Sequence, residues 1–224
     1  MNNFNFTNKE LKIIRKLNTP EKIQDFLDNI PVNFENDGAG ETCLSPKSVL
    51  YKNKAHCIEA AFFAAMCLKI NNIGSGKALL VDMKGARGDW DHVVAVFRIE
   101  GKWGAISKTN HAVLRYREPV YESIRELVMS YFHEYTSDDE KGKKTLRSYS
   151  NPVDLCRVFG YDWMTSKEDL WEIHHFLDKL KHYNVLNKKQ IKGLRRADRI
   201  EIELGKMREW CKTGKRNSWV IKNV

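Results

Sequence analysis

Two residues in this chain could share nucleophilic chemistry if the fold brings them together. Cys57 lies in the stretch KNKAHCIEAAFFAAMCL, from Lys52 to Leu68, and His92 opens the segment HVVAVFRI. A thiolate is the nucleophile, and the free N–H groups at a helix N-terminus lower the pKa of a cysteine in the first turn. The same amides can hold the oxyanion of a tetrahedral intermediate. A cysteine in an Ala- and Phe-rich helix is ordinarily packing, and a single strand-end histidine is ordinarily a satisfied polar residue, so only their pairing gives either one a chemical meaning. His56 is set aside as the base, because adjacent helical residues project about 100° apart and do not face each other.

A histidine base needs a third residue to accept its Nδ1–H, so that Nε2 points at the sulfur. If Glu100-Gly101 forms a two-residue hairpin turn, Ile99 pairs with Lys102 and His92 with Thr109. Ser107 then shares the face of His92 on a diagonal, and Asn110 falls on the opposite face unless the strand has already ended. Ser107 and Asn110 both remain candidates. Asp91 alternates away from His92, and Asp89 reads as solvated loop.

The elements that must position these residues are visible in the pattern. Residues 55–68 are apolar on nearly every side, too long for a strand and too uniform for a surface helix, which predicts a central buried helix. Three β-type segments follow, KALLVDM, HVVAVFRI and KWGAIS, and the hairpin makes their sheet antiparallel. Upstream, Leu11, Ile14 and Leu17 have helical spacing, Thr19-Pro20-Glu21 opens a second helix, ENDGAGET (35–42) is loop, and Ser45-Pro46 starts a short helix. Downstream, Ile124, Leu127, Val128 and Tyr131 lie on one helical face, and Ser166 to Asp169 reads as a capping box before WEIHHFLDKL. Ile191, Leu194, Ala197, Leu204, Met207 and Cys211 read as the stripe of a last helix. The fold class is α+β: residues 1–135 form the core with its N-terminal helices, and 136–224 form a helical, basic extension packed on it.

Composition narrows the function classes. With 224 residues, 42% of them hydrophobic, the chain can bury a substantial core. Five cysteines, an odd number without a C-x-x-C pair, argue against a disulfide framework and for reduced thiols. No zinc spacing appears among the His and Cys residues, His111, His133, His174 and His175 included, and SGKA at 75–78 lacks the upstream glycine of a phosphate loop, so no metal or cofactor is expected. The longest apolar run, Ala60 to Leu68, is far short of the roughly 20 residues that span a bilayer, and MNNFNFTNKELKII lacks the basic start and long apolar stretch of a secretion signal. The expectation is a cytoplasmic protein without membrane association. The net charge of +9 is concentrated from Lys179 onward, where 14 Lys/Arg face 4 Asp/Glu. Arg195, Arg196 and Arg199 could engage nucleic acid or an acidic partner, although Glu201, Glu203 and Glu209 are interspersed, and a solvated helix face is the commoner meaning of such a run.

The order of helix-start cysteine, strand, strand-start histidine, hairpin and second strand with Trp103 resembles the transglutaminase-like superfamily of papain-like α+β proteins, over roughly Pro46 to Asn110. More closely, ETCLSPKSVLYKNKAHCIEAA, DHVVAVFR, WGAISKTNHAVLRYREPVY and SYFHEY resemble a group of bacterial transglutaminase-like proteins. The resemblance implies that Cys57 attacks an amide or ester carbonyl of a peptide or protein substrate, with His92 as general base and then acid. Hydrolysis and acyl transfer both occur in the superfamily. It also implies an upstream oxyanion donor beside the Cys57 N–H, for which Tyr51 and Asn53 are the polar candidates. The Asp that the family places after the histidine falls on Ser107, whereas a papain-like Asn would fall to Asn110. That departure supports a rival expectation: a catalytically degenerate binding module that holds peptide in its cleft or nucleic acid on its basic C-terminal helix.

Overall fold

The computed structural model describes residues 4–35, 40–137 and 141–207, so Cys211 and Glu209 lie outside the described residues. Three N-terminal helices, α1 (Asn8–Lys16), α2 (Pro20–Asn29) and α3 (Pro46–Lys52), each begin on a hydroxyl that accepts a backbone N–H of the first turn: Thr7, Thr19 and Ser45. They pack around α4 (Cys57–Ile70), in which every residue from Ile58 to Leu68 is buried. A helix buried all round has no polar face to conserve, which is why its sequence shows no amphipathic stripe. Phe62 and Phe63 are fully enclosed, Phe63 stacking on Phe26 of α2 at 4.9 Å. Burial of each such ring stabilises the fold by about 1.5–3 kcal/mol.

One antiparallel sheet supports this helix. Its strands are β1 (Leu79–Lys84), β2 (His92–Ile99), β3 (Lys102–Ile106) and β4 (Arg117–Tyr121), followed after helix α5 (Ile124–Ser130) by β5 (Ser148–Ser150) and β6 (Val153–Asp154). Then come α6 (Leu155–Phe159), α7 (Trp171–Asp178), β7 (His182–Asn184), α8 (Lys188–Lys192) and α9 (Arg199–Gly205). The strand order is β4-β3-β2-β1-β5-β7, with β6 also paired to β1. The β2–β3 hairpin has the predicted register, Ile99 opposite Lys102 through Ala95 opposite Ile106. Its two turn residues, Glu100 and Gly101, both have positive φ (49° and 81°), as a type I′ turn requires.

The sheet is covered on both faces. Val93, Ala95 and Phe97 join the cluster around α4, while Val94 and Val96 join a second cluster with Leu127, Val128 and Tyr131. A strand buried on both faces carries no polar alternation, and HVVAVF has none. Among the described residues no helix is long and apolar enough to cross a membrane.

The region after residue 135 differs from the helical extension expected of it. Its described part supplies β5, β6 and β7 to the same sheet as β1 and β2. These strands are two or three residues long, too short for periodicity to reveal. The single last helix is also revised: Gly193 ends α8, and Asp198 starts α9 by accepting from Glu201 N at 3.0 Å. Ser166 makes a local turn with Glu168 instead of capping α7, whose first residue is Trp171.

Candidate active site

The start of α4 is held by its neighbours in the chain and by one buried carboxylate. Ala55 bonds in both directions to the 31–33 segment, its N–H to Pro31 O at 3.2 Å and its carbonyl from Asn33 N at 3.1 Å. His56 follows as the helix cap with extended backbone (φ −95°, ψ −171°), so Cys57 is the first helical residue. Glu59, fully buried, accepts hydrogen bonds from His56 N (2.9 Å), Leu44 N (2.9 Å), the Thr42 hydroxyl (2.7 Å) and the Asn33 amide (3.1 Å). A buried carboxylate with every lone pair occupied is a rigid joint, and this one fastens the 42–44 loop to the turn that carries Cys57.

Across from it, β2 begins at His92, whose ring lies against the Cys57 thiol and favours its ionised form. The ring's Nε2 meets Ser107 Oγ at 2.8 Å. Ser107 has one proton to give, and its Oγ lies 2.5 Å from Leu114 O, a pure acceptor. The hydroxyl therefore donates to Leu114 and accepts from His92 Nε2–H, leaving Nδ1 for the sulfur. This reverses the ring orientation expected from the sequence, in which Nδ1 faced the third residue. Gln24 fixes Ser107 from behind: its Oε1 accepts from Ser107 N at 3.0 Å and its Nε2 donates to Ser107 O at 2.8 Å. Leu114 holds its carbonyl in place with φ at +61°, a conformation costly for a branched side chain, while its N–H donates to Glu134 at 2.8 Å and Arg117 closes on the same carboxylate at 2.7 Å.

The other residues singled out from the sequence lie elsewhere. Asn110 lines the same cavity, but no hydrogen bond joins it to His92 among the described residues. Tyr51 is 70% exposed on α3 and donates to Glu10 at 2.7 Å, and Asn53 is the left-handed C-cap of that helix. Neither lines the cavity, so the oxyanion donors at hand are the first N–H groups of α4, those of Cys57 and Ile58, for which the helix itself has no acceptor. Sequence reasoning passed over His56, Glu59 and Gln24. Glu59 had a signal, an acid three residues past the cap inside an apolar run, whereas Gln24 had none. The helical geometry expected of His56 is corrected: the residue precedes the helix, with extended backbone, and so does not project at the helical 100° from Cys57.

Electrostatics set Cys57 apart. Burial works against its thiolate, but hydrogen bonds from His56 and His92 and attraction to both rings outweigh it and bring the thiol down to about 5. For His56, burial is outweighed by bonding and attraction to Cys57, the charge of Glu59 and the Thr42 carbonyl, which raise the ring to about 9. Burial pushes Cys43 and Cys67 well above the usual thiol range and Cys156 up to about 11.

Cys57, His56 and His92 open into a cavity of about 730 Å³, within the range of small-molecule and peptide sites. Trp90, 80% exposed, stands on its rim, and Tyr135 holds the Trp90 carbonyl at 2.5 Å. Lys84 ties the loop before His92 to α7, meeting Asp91 at 2.8 Å, Asp178 at 2.5 Å and Asp82 at 2.9 Å. Among the described residues no three His, Cys, Asp or Glu side chains are grouped to hold a metal ion. In the basic C-terminal segment, Arg195 pairs with Glu201 at 3.4 Å and with Asp198 at 3.8 Å, and Arg196 donates to Lys141 O at 3.4 Å. Arg199 is the first residue of α9 and is exposed. No protein-family model and no curated protein matches this chain.

Proposed function

We propose that the protein is a cysteine-dependent hydrolase or acyltransferase with a papain-like, transglutaminase-like core, acting on an amide or ester carbonyl. The observation that carries this reading is the placing of His92 beside Cys57 with its Nε2 held by Ser107 Oγ, itself bonded to Leu114 O, in the wall of an open cavity. The Cys57 thiolate attacks the carbonyl carbon, and the N–H groups at the start of α4 stabilise the oxyanion. His92 Nδ1–H protonates the departing amine or alcohol, leaving a thioester on Cys57. The neutral ring then takes a proton from water or an amine as that acceptor attacks, and the acid product or new amide leaves with the thiolate restored. Through the cycle Nε2–H stays on Ser107, whose neutral oxygen does the orienting that a carboxylate or amide does in the family the sequence resembles.

The test is acylation by p-nitrophenyl acetate. The expected result is a burst of one nitrophenolate per chain and an acetyl group on Cys57 by peptide mass spectrometry, both lost in Cys57→Ala. If no burst exceeds that of Cys57→Ala and no acyl-Cys57 forms, the enzyme reading fails. The neutral Ser107 would then favour a non-catalytic module that holds peptide in the cavity.

A further inference from the structure

His56 is unexplained by the mechanism above. As a helix cap it is a poor choice, since Ser, Thr, Asp and Asn cap far better. Its surroundings are those of a cation. Among the described residues Nε2 faces three acceptors and no donor: Thr42 O at 2.9 Å, Glu59 Oε1 at 3.4 Å and Glu35 Oε1 at 3.5 Å. That nitrogen must carry a proton, and the ring borders the Cys57 sulfur that follows it in the chain. Two carboxylates on one side and a sulfur on the other favour the doubly protonated ring. The charged or titratable groups facing His56 are thus Glu35 from the 32–35 segment and Cys57 and Glu59 from α4. Those facing the sulfur are His56, His92 from β2, Cys43 from the segment before α3, and Tyr135 following α5.

The two histidines at Cys57 are therefore held differently. His92 leans on the neutral hydroxyl of Ser107. His56 leans on two carboxylates and keeps its proton. We propose that His56 is a fixed imidazolium counter-ion of Cys57, holding the sulfur as thiolate whether or not His92 is protonated, so that His92 alone moves protons. The inference deepens the nucleophile reading: a sulfur that needs no proton transfer to become nucleophilic leaves His92 free to serve the leaving group and the acceptor. With the ring raised to about 9, the counter-ion persists across neutral pH.

The test is the pH dependence of Cys57 modification by a dipyridyl disulfide in the full chain. In wild type the rate should be half-maximal near pH 5. In His92→Asn, Cys57 should still titrate well below an ordinary thiol, and adding His56→Ser should raise its midpoint by at least one further pH unit, a tenfold loss of rate below the plateau. Serine caps helices well, so a capping role alone leaves both profiles unmoved. An unchanged profile on adding His56→Ser, or a midpoint already near 8.5 in His92→Asn, overturns the proposal. If His56→Ser does not fold, histidine ¹⁵N shifts in wild type and Cys57→Ala give the reciprocal reading, since coupling must act equally on both partners. Loss of the sulfur should lower the His56 midpoint by one unit or more, and an unaltered midpoint overturns the proposal. Failure of acylation with these titrations intact would remove the enzyme reading and leave the ion pair standing.

Discussion

Cys57 and Cys67 stand on the same helix, and their thiols are driven in opposite directions. Cys67 is enclosed in the middle of α4, where burial alone acts and pushes the thiol far up. Cys57 sits where the helix begins, with His56 and His92 against it and a cavity in front, and its thiol falls to about 5. Burial opposes ionisation at both. What separates them is the pair of imidazole rings against Cys57, together with the free N–H groups of the helix start, which the paired backbone of a helix interior does not offer.

The largest effect that should break this contrast is removal of the proposed proton carrier. His92→Ala should lower turnover of the acetyl ester by about 10²–10⁴-fold at pH 7, measured as steady-state nitrophenolate release. A smaller change would mean that the Cys57 end of the helix differs from Cys67 in charge but not in chemistry.

Reactivity at acid pH should show the contrast directly. At pH 5, half of a thiol with a pKa of about 5 is thiolate, against about 0.03% of an ordinary one. The lower basicity of that thiolate cuts its intrinsic reactivity about 40-fold. The net expectation is that Cys57 reacts with a dipyridyl disulfide roughly 40-fold faster than a thiol in the urea-unfolded chain, while Cys67 stays unmodified in the native state; mass mapping of the modified peptides distinguishes them. As the pH falls below 5 the absolute Cys57 rate should fall with its thiolate fraction, while its ratio to the unfolded thiol, whose fraction falls at least as steeply, should rise by no more than about twofold.

Ser107→Ala should leave His92 Nε2–H without its acceptor. Loss of about 1.5 kcal/mol of orienting hydrogen bond lowers kcat about tenfold, and a neutral KM would place the loss in ring orientation and not in substrate binding. The smallest effect belongs to the other cysteine. Cys67→Ala should destabilise the fold by about 1 kcal/mol in urea titration, through lost packing, and leave the acid-pH reactivity of Cys57 unaltered.

Much of this arrangement was legible in the residues. The unbroken apolar run 60–68 required a buried helix, Glu100-Gly101 set the hairpin register, and that register put Ser107 on the face of His92. The small strands β5 to β7 were illegible because two or three residues carry no period. His56 was misread for a different reason. Helical geometry was applied to a residue that precedes the helix, and the exact first residue of a helix is the least certain part of any pattern.

The sequence by itself determined which elements form and which of their ends carry a cysteine and a histidine, because propensity, periodicity and turn chemistry act over a few residues. Only the tertiary structure puts Ser107 against His92 Nε2, since that contact depends on where the 107–116 loop turns and on Gln24, more than eighty residues away in the chain, gripping Ser107 by its backbone. It also brings Glu59, Glu35 and the Thr42 carbonyl to His56 beside Cys57, contacts that come into being only when residues 33–35 and 42–44 meet the start of α4.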